Sequence, residues 1–296
     1  MITSDSRRPL LKQVLASKHC LRVLEAHSPI SALLAQQARF EPTPGQRIGY
    51  DAIWSSSLTD STQKGLPDIE ILNTGNRLQN VREIFEVCAL PMIFDGDTGG
   101  KSEHFALHAM ALERAGVSAV IIEDKCGLKK NSLLGNDVIQ HQELVEEFCA
   151  KIRAGRNALN TTEFMIIARC ESLILDRGMD DAVARCLAYV KAGAHGIMIH
   201  SRKKDGQEII EFAKRLREHN LTVPLICVPT SFAHIKFDAL ESAGFNVVIY
   251  ANHMLRSAYL AMRGVAEEIL RNGRTLEVEP CCLEVDEILR LIPGTR

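Results

Sequence analysis

The chain has 296 residues, 46% of them apolar and 24% charged, with 35 Lys and Arg against 37 Asp and Glu. That composition supports a large core and excludes intrinsic disorder, and the near balance of charge argues against a generally basic nucleic-acid binder. No run approaches the ~20 apolar residues that span a bilayer, and the polar start Met-Ile-Thr-Ser-Asp-Ser-Arg-Arg has no apolar stretch behind it, so neither a membrane partner nor a signal peptide is expected. Nine scattered cysteines, adjacent only at Cys281-Cys282, predict reduced thiols and a cytoplasmic location.

In chain order, residues 9–18 predict a lead-in helix. Eight short apolar runs then follow, at 20–25, 50–55, 90–95, 118–123, 164–169, 194–200, 223–228 and 246–251. Continuous apolar runs of this length suit strands buried on both faces, as in a parallel sheet. Helical patterns lie between most of them, at 76–89, 102–115, 142–154, 179–192, 206–219 and 231–243, with another at 253–272. Ser102 is the expected N-cap of its helix, and Gly116, Gly193 and Gly244 stand at helix ends, where a left-handed residue stops the helix. Eight βα units predict a (β/α)8 TIM barrel as a single domain over 1–296, with a tail from 273 that holds a short amphipathic helix at 285–292. A doubly wound sheet would want a G-x-G-x-x-G or Walker A turn after an early strand, and neither is present.

Barrel strands deliver active-site groups at their carboxyl ends. Those ends carry Glu25 and His27, Trp54 with Ser56 and Ser57, Asp95 and Asp97, Glu123-Asp124-Lys125, Arg169 and Glu171, His200, Thr230, and Asn252. Polar residues must end any buried strand, but that alone accounts poorly for an Asp-x-Asp, a Glu-Asp-Lys, an Arg-x-Glu and a His on one rim. Asp95-Gly-Asp97-Thr-Gly99 suits a hard divalent cation, Mg²⁺ or Mn²⁺, with Glu123 holding a metal-bound water; a capped βα turn is the plainer alternative. Lys125, Lys129 and Lys130 with Asn131 and Ser132 offer cations, an amide and a hydroxyl to an anion. Residues 60–80, with Gly65 and Pro67, predict a second long polar loop of the kind that closes over barrel sites. His104 and His108 stand i, i+4 without the Glu of a H-E-x-x-H motif, so a solvated helix face is the expectation there.

The strand-end set resembles the isocitrate lyase / phosphoenolpyruvate mutase superfamily, in order and over nearly the whole chain. The resemblance is carried by Glu25-Ala-His27-Ser, Trp54-Ser-Ser-Ser-Leu58, Asp95-Gly-Asp97-Thr-Gly99, Glu123-Asp-Lys125, Ala168-Arg-Cys-Glu171, Ile199-His200-Ser-Arg-Lys, Val228-Pro-Thr230 and Tyr250-Ala-Asn252-His253. After the fourth strand, Glu123-Asp-Lys125, a three-residue gap and Lys129-Lys130-Asn131-Ser132 resemble the mutases. The similar phosphonopyruvate hydrolases have Thr in the Asn131 slot, and the carbon–carbon lyases have a Cys there, which makes Cys126 a decoy five residues early. The sequence departs from the pattern at Ser55 and Ser57, where other members often have Gly, and at Gly100-Lys101, where Tyr-Gly is common.

The resemblance implies interconversion of phosphoenolpyruvate and phosphonopyruvate with Mg²⁺. It implies metal binding by Asp95 directly and by Asp97 and Glu123 through water. It implies that Ser57 and Leu58 N–H groups and the Ser56 hydroxyl grip the substrate carboxylate beside Trp54, with the Ser57 side chain a bystander. Arg169, His200, Asn131, Ser132 and Lys129 would hold the anionic groups, and Asp68 would be the nucleophile that takes the phosphoryl group. It further implies a homodimer or homotetramer, with the helix at 253–272 or the segment after it exchanged between subunits. The alternatives are a phosphonopyruvate hydrolase, a 2-methylisocitrate-type lyase or oxaloacetate decarboxylase, or a barrel that only binds small carboxylates.

Overall fold

The structure is a computed structural model that describes residues 2–292 and 294. All eight predicted strands form, and they close into one parallel barrel: β1 Leu21–Glu25, β2 Ala52–Ser55, β3 Met92–Asp95, β4 Ala119–Glu123, β5 Met165–Cys170, β6 Gly196–Ile199, β7 Leu225–Cys227 and β8 Val247–Tyr250. Each strand pairs with its sequence neighbours, and β1 pairs with β8 to close the ring. The register sets Glu25 opposite Trp54 and Glu123 opposite Arg169, so these rim residues share one level. Inside the barrel, Val23, Trp54, Ile93, Ile121, Ile167, Met198, Ile226 and Ile249 form one apolar core. Leu11 of the lead-in helix Leu10–Ser17 joins that core, with Val14 and Leu15 packed against it.

The flanking helices bury one apolar stripe each. Ser102–Ala115 buries Phe105, Ala109 and Leu112, and Gln207–Arg217 buries Ile209, Phe212, Ala213 and Leu216, as the 3.6-residue period requires. Gly116, Gly193 and Gly244 all have positive φ, as expected of residues that end helices. Ser102 is not the N-cap: Lys101 holds that position with no side-chain bond, and Ser102 is the first helical residue. The helix predicted at 231–243 is confined to Phe237–Ser242, and the one predicted at 142–154 lies at Val145–Ala158 because Gln142 pairs with Lys125 in a two-residue ladder.

The features that were not anticipated include three more. Pro29–Gln37 is a helix with a capping box between Ser28 and Ser31, an antiparallel pair joins Phe40–Thr43 to Gln46–Ile48, and Ser57–Thr62 is a short helix. The last of these revises the predicted 60–80 loop. Asp60 is helical and buried, Thr74–Val87 is a helix with Arg77 and Asn80 buried, and only residues 63–73 form the loop itself.

The chain divides into two compact units, 1–252 and 253–296. The barrel strands all lie in the first. The second contains the helices His253–Asn272 and Val285–Leu291, close to the bounds predicted for them. None of the residues of these two helices is buried, and Tyr259, Leu260, Met262, Leu270 and Ile288 are exposed. Of the predicted tail, residues 293, 295 and 296 lie outside the described residues. Among the described residues, no helix is long and apolar enough to cross a membrane.

Candidate active site

The carboxyl ends of the strands enclose a cavity of about 60 Å³, which admits only a small molecule. Its wall contains Trp54, Ser56, Ser57, Leu58, Asp95, Glu123, Lys129, Asn131, Ser132, Arg169 and His200, so eleven of the expected site residues meet at one place. Asp68 and Asp97 stand just behind this wall. Lys129 Nζ lies 2.7 Å from Asp68 Oδ1 and in closer contact with Asp97 Oδ1, while Asn131 Nδ2 donates to Asp68 Oδ2 at 3.1 Å. Thus the loop after β2 and the loop after β4 meet through an Asp, a Lys and an Asn far apart in sequence.

The turn after β3 explains its glycine. A Cβ on Gly96 would lie 2.7 Å from Val120 Cγ2 and 3.0 Å from the Ile121 carbonyl, so only glycine lets this turn lie against β4. Asp97 next to it has φ 55, a left-handed conformation uncommon outside glycine. Asp95 Oδ1 accepts the Asp97 N–H at 3.1 Å, and Oδ2 accepts both the N–H and the hydroxyl of Ser57, at 3.2 and 2.9 Å. The Ser57 N–H, expected to face substrate, is therefore directed at Asp95. Its side chain is not a bystander either, because Lys129 Nζ donates to Ser57 Oγ at 2.6 Å.

Much of the rim is held by residues the sequence reading gave no role. Arg77 is buried beneath the β2 and β3 ends. It donates to Asp60 Oδ2 at 2.9 Å and to the Ser55 carbonyl at 3.1 Å, lies 3.5 Å from Asp97 Oδ2, and stacks on Phe94. Ser55, a departure from the family pattern, donates to the same Asp60 oxygen at 2.7 Å. Glu171 is fully buried; its Oε1 accepts from Arg169 Nε at 2.6 Å, and its Oε2 accepts from Ser132 Oγ. Lys125, expected to meet an anion, instead donates to the Lys130 carbonyl, Ser132 Oγ and Gln140 Oε1, which fixes the loop that carries Lys129 and Asn131. Asp124 accepts from the Glu171 N–H at 2.8 Å, Gln142 Nε2 at 2.9 Å and Tyr189 O–H at 2.5 Å, behind the rim.

Burial and close charge set the protonation states. Burial alone would raise Asp95, but Lys129 and Arg77 outweigh it and hold the carboxyl below its usual range. Burial dominates at Asp97, with Lys129 only partly offsetting it, and pushes this carboxyl up to about 6. Glu123 is raised by burial too. Lys129 is desolvated, yet Asp97, Asp95 and Asp68 more than compensate and keep the ammonium charged. His200 is lowered to about 3 by burial and by Arg169, whose Nη2 donates to His200 Nδ1 at 3.0 Å. A neutral ring with Nδ1 accepting carries its proton on Nε2.

Among the described residues, no three His, Cys, Asp or Glu side chains converge into a metal cage. Two observations nonetheless fit one divalent cation held mainly through water. Glu123 Oε1 is buried and receives no hydrogen bond from the described residues, although Lys125 Nζ lies 3.1 Å away. Among the described residues, the rim carboxylates of Asp60, Asp68, Asp95, Asp97, Glu123 and Glu171 share four cationic side chains, Arg77, Lys125, Lys129 and Arg169, beside the neutral His200, a deficit of two positive charges. Mg²⁺ takes one or two carboxylates and keeps several waters.

Comparison with known proteins agrees with this construction. The chain is 31% identical to the phosphoenolpyruvate phosphomutase of Tetrahymena pyriformis over 98% of its length and 92% of the relative's. It is 35% identical to the phosphonopyruvate hydrolase of Variovorax sp. (strain Pal2), over 97% and 94%. The crystal structure of a phosphoenolpyruvate phosphomutase from Streptomyces platensis subsp. rosaceus superposes with a TM-score of 0.87 at 33% identity, covering 98% of this chain and 94% of that one. A phosphonopyruvate hydrolase solved with oxalate and Mg²⁺ gives a TM-score of 0.84 at 33% identity, covering 98% and 95%. The fold and rim define an enzyme of the isocitrate lyase / phosphoenolpyruvate mutase superfamily. Within it, the chain belongs to the phosphoenolpyruvate phosphomutase family, whose model matches residues 11–270.

Proposed function

We propose that the chain is a phosphoenolpyruvate mutase, an isomerase that moves a phosphoryl group between the oxygen and the carbon of a pyruvyl unit and so forms the C–P bond of phosphonate biosynthesis. The observation that carries this reading is the closed contact of Asp68 with both Lys129 and Asn131 at the cavity that Arg169, Ser132 and His200 line. Asp68 Oδ attacks phosphorus and holds the group as an aspartyl phosphate, then returns it to the other end of the enolate, so that two steps replace one constrained rearrangement. Lys129 and Asn131 position that carboxylate and, with Arg169 and the His200 Nε2–H, neutralise the phosphoryl oxygens. Leu58 N–H and the Ser56 hydroxyl hold the pyruvyl carboxylate against Trp54. Asp95 would hold Mg²⁺ directly and Asp97 and Glu123 through water, with Mn²⁺ a possible substitute; the metal supplies charge that stabilises the enolate oxygen. Its binding would draw Asp97 and Glu123 back to the ionised form.

The Variovorax relative favours a second reading, phosphonopyruvate hydrolase, which the same residues serve if water reaches the aspartyl phosphate. Asn131 supports the mutase, since the hydrolases it resembles have Thr there. Phosphorus NMR of the protein with phosphonopyruvate and Mg²⁺ separates them. Growth of phosphoenolpyruvate, abolished by EDTA, is expected, and inorganic phosphate alone would make the hydrolase correct. Asn131→Thr is expected to raise the phosphate fraction about tenfold, and an unchanged product ratio would remove Asn131 as the discriminator. The exposed apolar residues of His253–Asn272 support assembly with second copies of the chain as a homodimer or homotetramer. Nine free thiols support a cytoplasmic setting.

A further inference from the structure

We infer that Glu70 is a positioning residue that latches the Asp68 loop shut and keeps water from the phosphorylated carboxylate. This rests on the proposed aspartyl-phosphate route. Glu70 lies two residues beyond Asp68 with φ 63, in the left-handed region that an extended glutamate side chain does nothing to favour. Strain of this kind, of order 1 kcal/mol or more, persists where surrounding contacts over-determine it. Here those contacts are specific: Glu70 Oε1 accepts the Thr98 N–H at 2.8 Å and the Thr98 hydroxyl at 2.6 Å. Thr98 is itself a fixed anchor. Its carbonyl accepts from the buried Lys151 Nζ at 2.9 Å, Lys151 is held by Glu143 at 2.7 Å, and Thr98 directly follows the left-handed Asp97.

The latch closes a ring. Asp68 reaches Asp97 through Lys129 on the cavity side, and Glu70 reaches Thr98 on the far side, so the loop is tied to the β3 turn at two points two residues apart. Glu70 and Thr98 also form part of the wall of a separate polar cavity of about 450 Å³, lined by Lys101, Lys125 and Glu143 among others. A polar cavity of that size holds water. Opening the latch would bring this water toward Asp68. In the leak reaction the water oxygen bonds to phosphorus and the bond from phosphorus to Asp68 Oδ breaks. Inorganic phosphate leaves, and the enolate takes a proton at carbon to become pyruvate.

Three variants separate the latch from mere backbone strain. Glu70→Gly relieves φ and removes the acceptor, Glu70→Gln keeps a carbonyl oxygen able to take both Thr98 donors, and Thr98→Val removes the hydroxyl alone. Two readouts are followed: amide hydrogen exchange of residues 63–73, and the phosphate-to-phosphoenolpyruvate ratio from phosphonopyruvate. Glu70→Gly is expected to speed exchange in 63–73 and to raise the phosphate fraction about tenfold. Thr98→Val should give a smaller change in the same direction, and Glu70→Gln should stay near wild type. Wild-type exchange in Glu70→Gly would overturn the latch, as would faster exchange with an unchanged product ratio in a chain that makes phosphoenolpyruvate. If the wild-type chain makes only phosphate, the mutase reading fails by itself. The latch is then judged on exchange alone, faster exchange in Glu70→Gly upholding it and unchanged exchange overturning it.

Discussion

The two ends of the barrel are made by the same eight strands and obey opposite chemistry. At the amino end, Leu11, Val14 and Leu15 close the interior with apolar contacts that any well-packed core would use. At the carboxyl end, Asp95, Glu123, Arg169 and Glu171 are also buried, and they are held by ion pairs and by hydrogen bonds from Ser57, Asp97 and Ser132. Buried pairs of this kind contribute little net stability, because desolvation consumes most of the Coulomb gain. The amino end therefore stabilises the fold, and the carboxyl end maintains a polar, dry, pre-organised site at a cost that the amino end offsets.

The strongest way to break that contrast is at the carboxyl end. Asp68→Ala is expected to lower kcat by about 10⁴-fold or more, as removal of a nucleophile does, while oxalate binding with Mg²⁺, measured by calorimetry, stays within a few-fold of wild type. Retained turnover would remove Asp68 as nucleophile. The mirror experiment is Leu11→Ala, expected to cost about 2–5 kcal/mol in denaturant unfolding with kcat/KM of the folded protein unchanged. A Leu11 variant that unfolds like wild type would show that the plug is dispensable.

Strand β6 places one histidine at each end, and both sharpen the comparison. His195, just before the strand, is lowered from 6.5 to about 4 by burial and Arg156, and its Nδ1 accepts the Ile166 N–H at 2.9 Å. His200, just after it, is lowered to about 3. In both cases the unfolded chain binds the proton at a higher pH than the folded one. Their stabilisation is therefore complete above pH 6.5 and is lost as pH falls toward 4 and 3. The free energy of denaturant unfolding should decline below pH 6.5, and His195→Asn should remove about 3 kcal/mol of that decline by pH 4. An identical slope in the variant would mean that the ring is not protonated on unfolding. The smallest expected effect is Ser57→Gly. Loss of the hydroxyl between Asp95 and Lys129 should lower kcat about fivefold, about 1 kcal/mol, and an unchanged kcat would return that side chain to a bystander.

The architecture was legible because a parallel barrel leaves a strong local trace. A strand buried on both faces must be apolar throughout, so all eight were visible, with ends within two residues of those found. The helix Pro29–Gln37 was hidden because its buried face is made of the small residues Ser31, Ala32 and Ala35 while Ile30 and Leu34 are exposed, so no distinct apolar stripe marks it. The predicted 60–80 loop failed for a related reason. Asp60, Arg77 and Asn80 read as solvated polar residues, and only their mutual pairing buries them. The same holds for Glu171 and Lys125, whose types were visible at the rim but whose partners, Ser132 and Gln140, were not.

The sequence by itself determined the barrel, the set of rim residues and the family, because periodicity and motif order are local and one-dimensional. Tertiary structure alone decided which of those residues face one another. It turned Ser57 toward Asp95, joined Asp68 to Lys129 and Asn131, and fastened Glu70 to Thr98, contacts between residues 28 to 63 positions apart. Such pairings depend on charge and hydrogen-bond geometry across loops, where neither spacing nor hydrophobicity specifies a partner until the strands have brought the loops together.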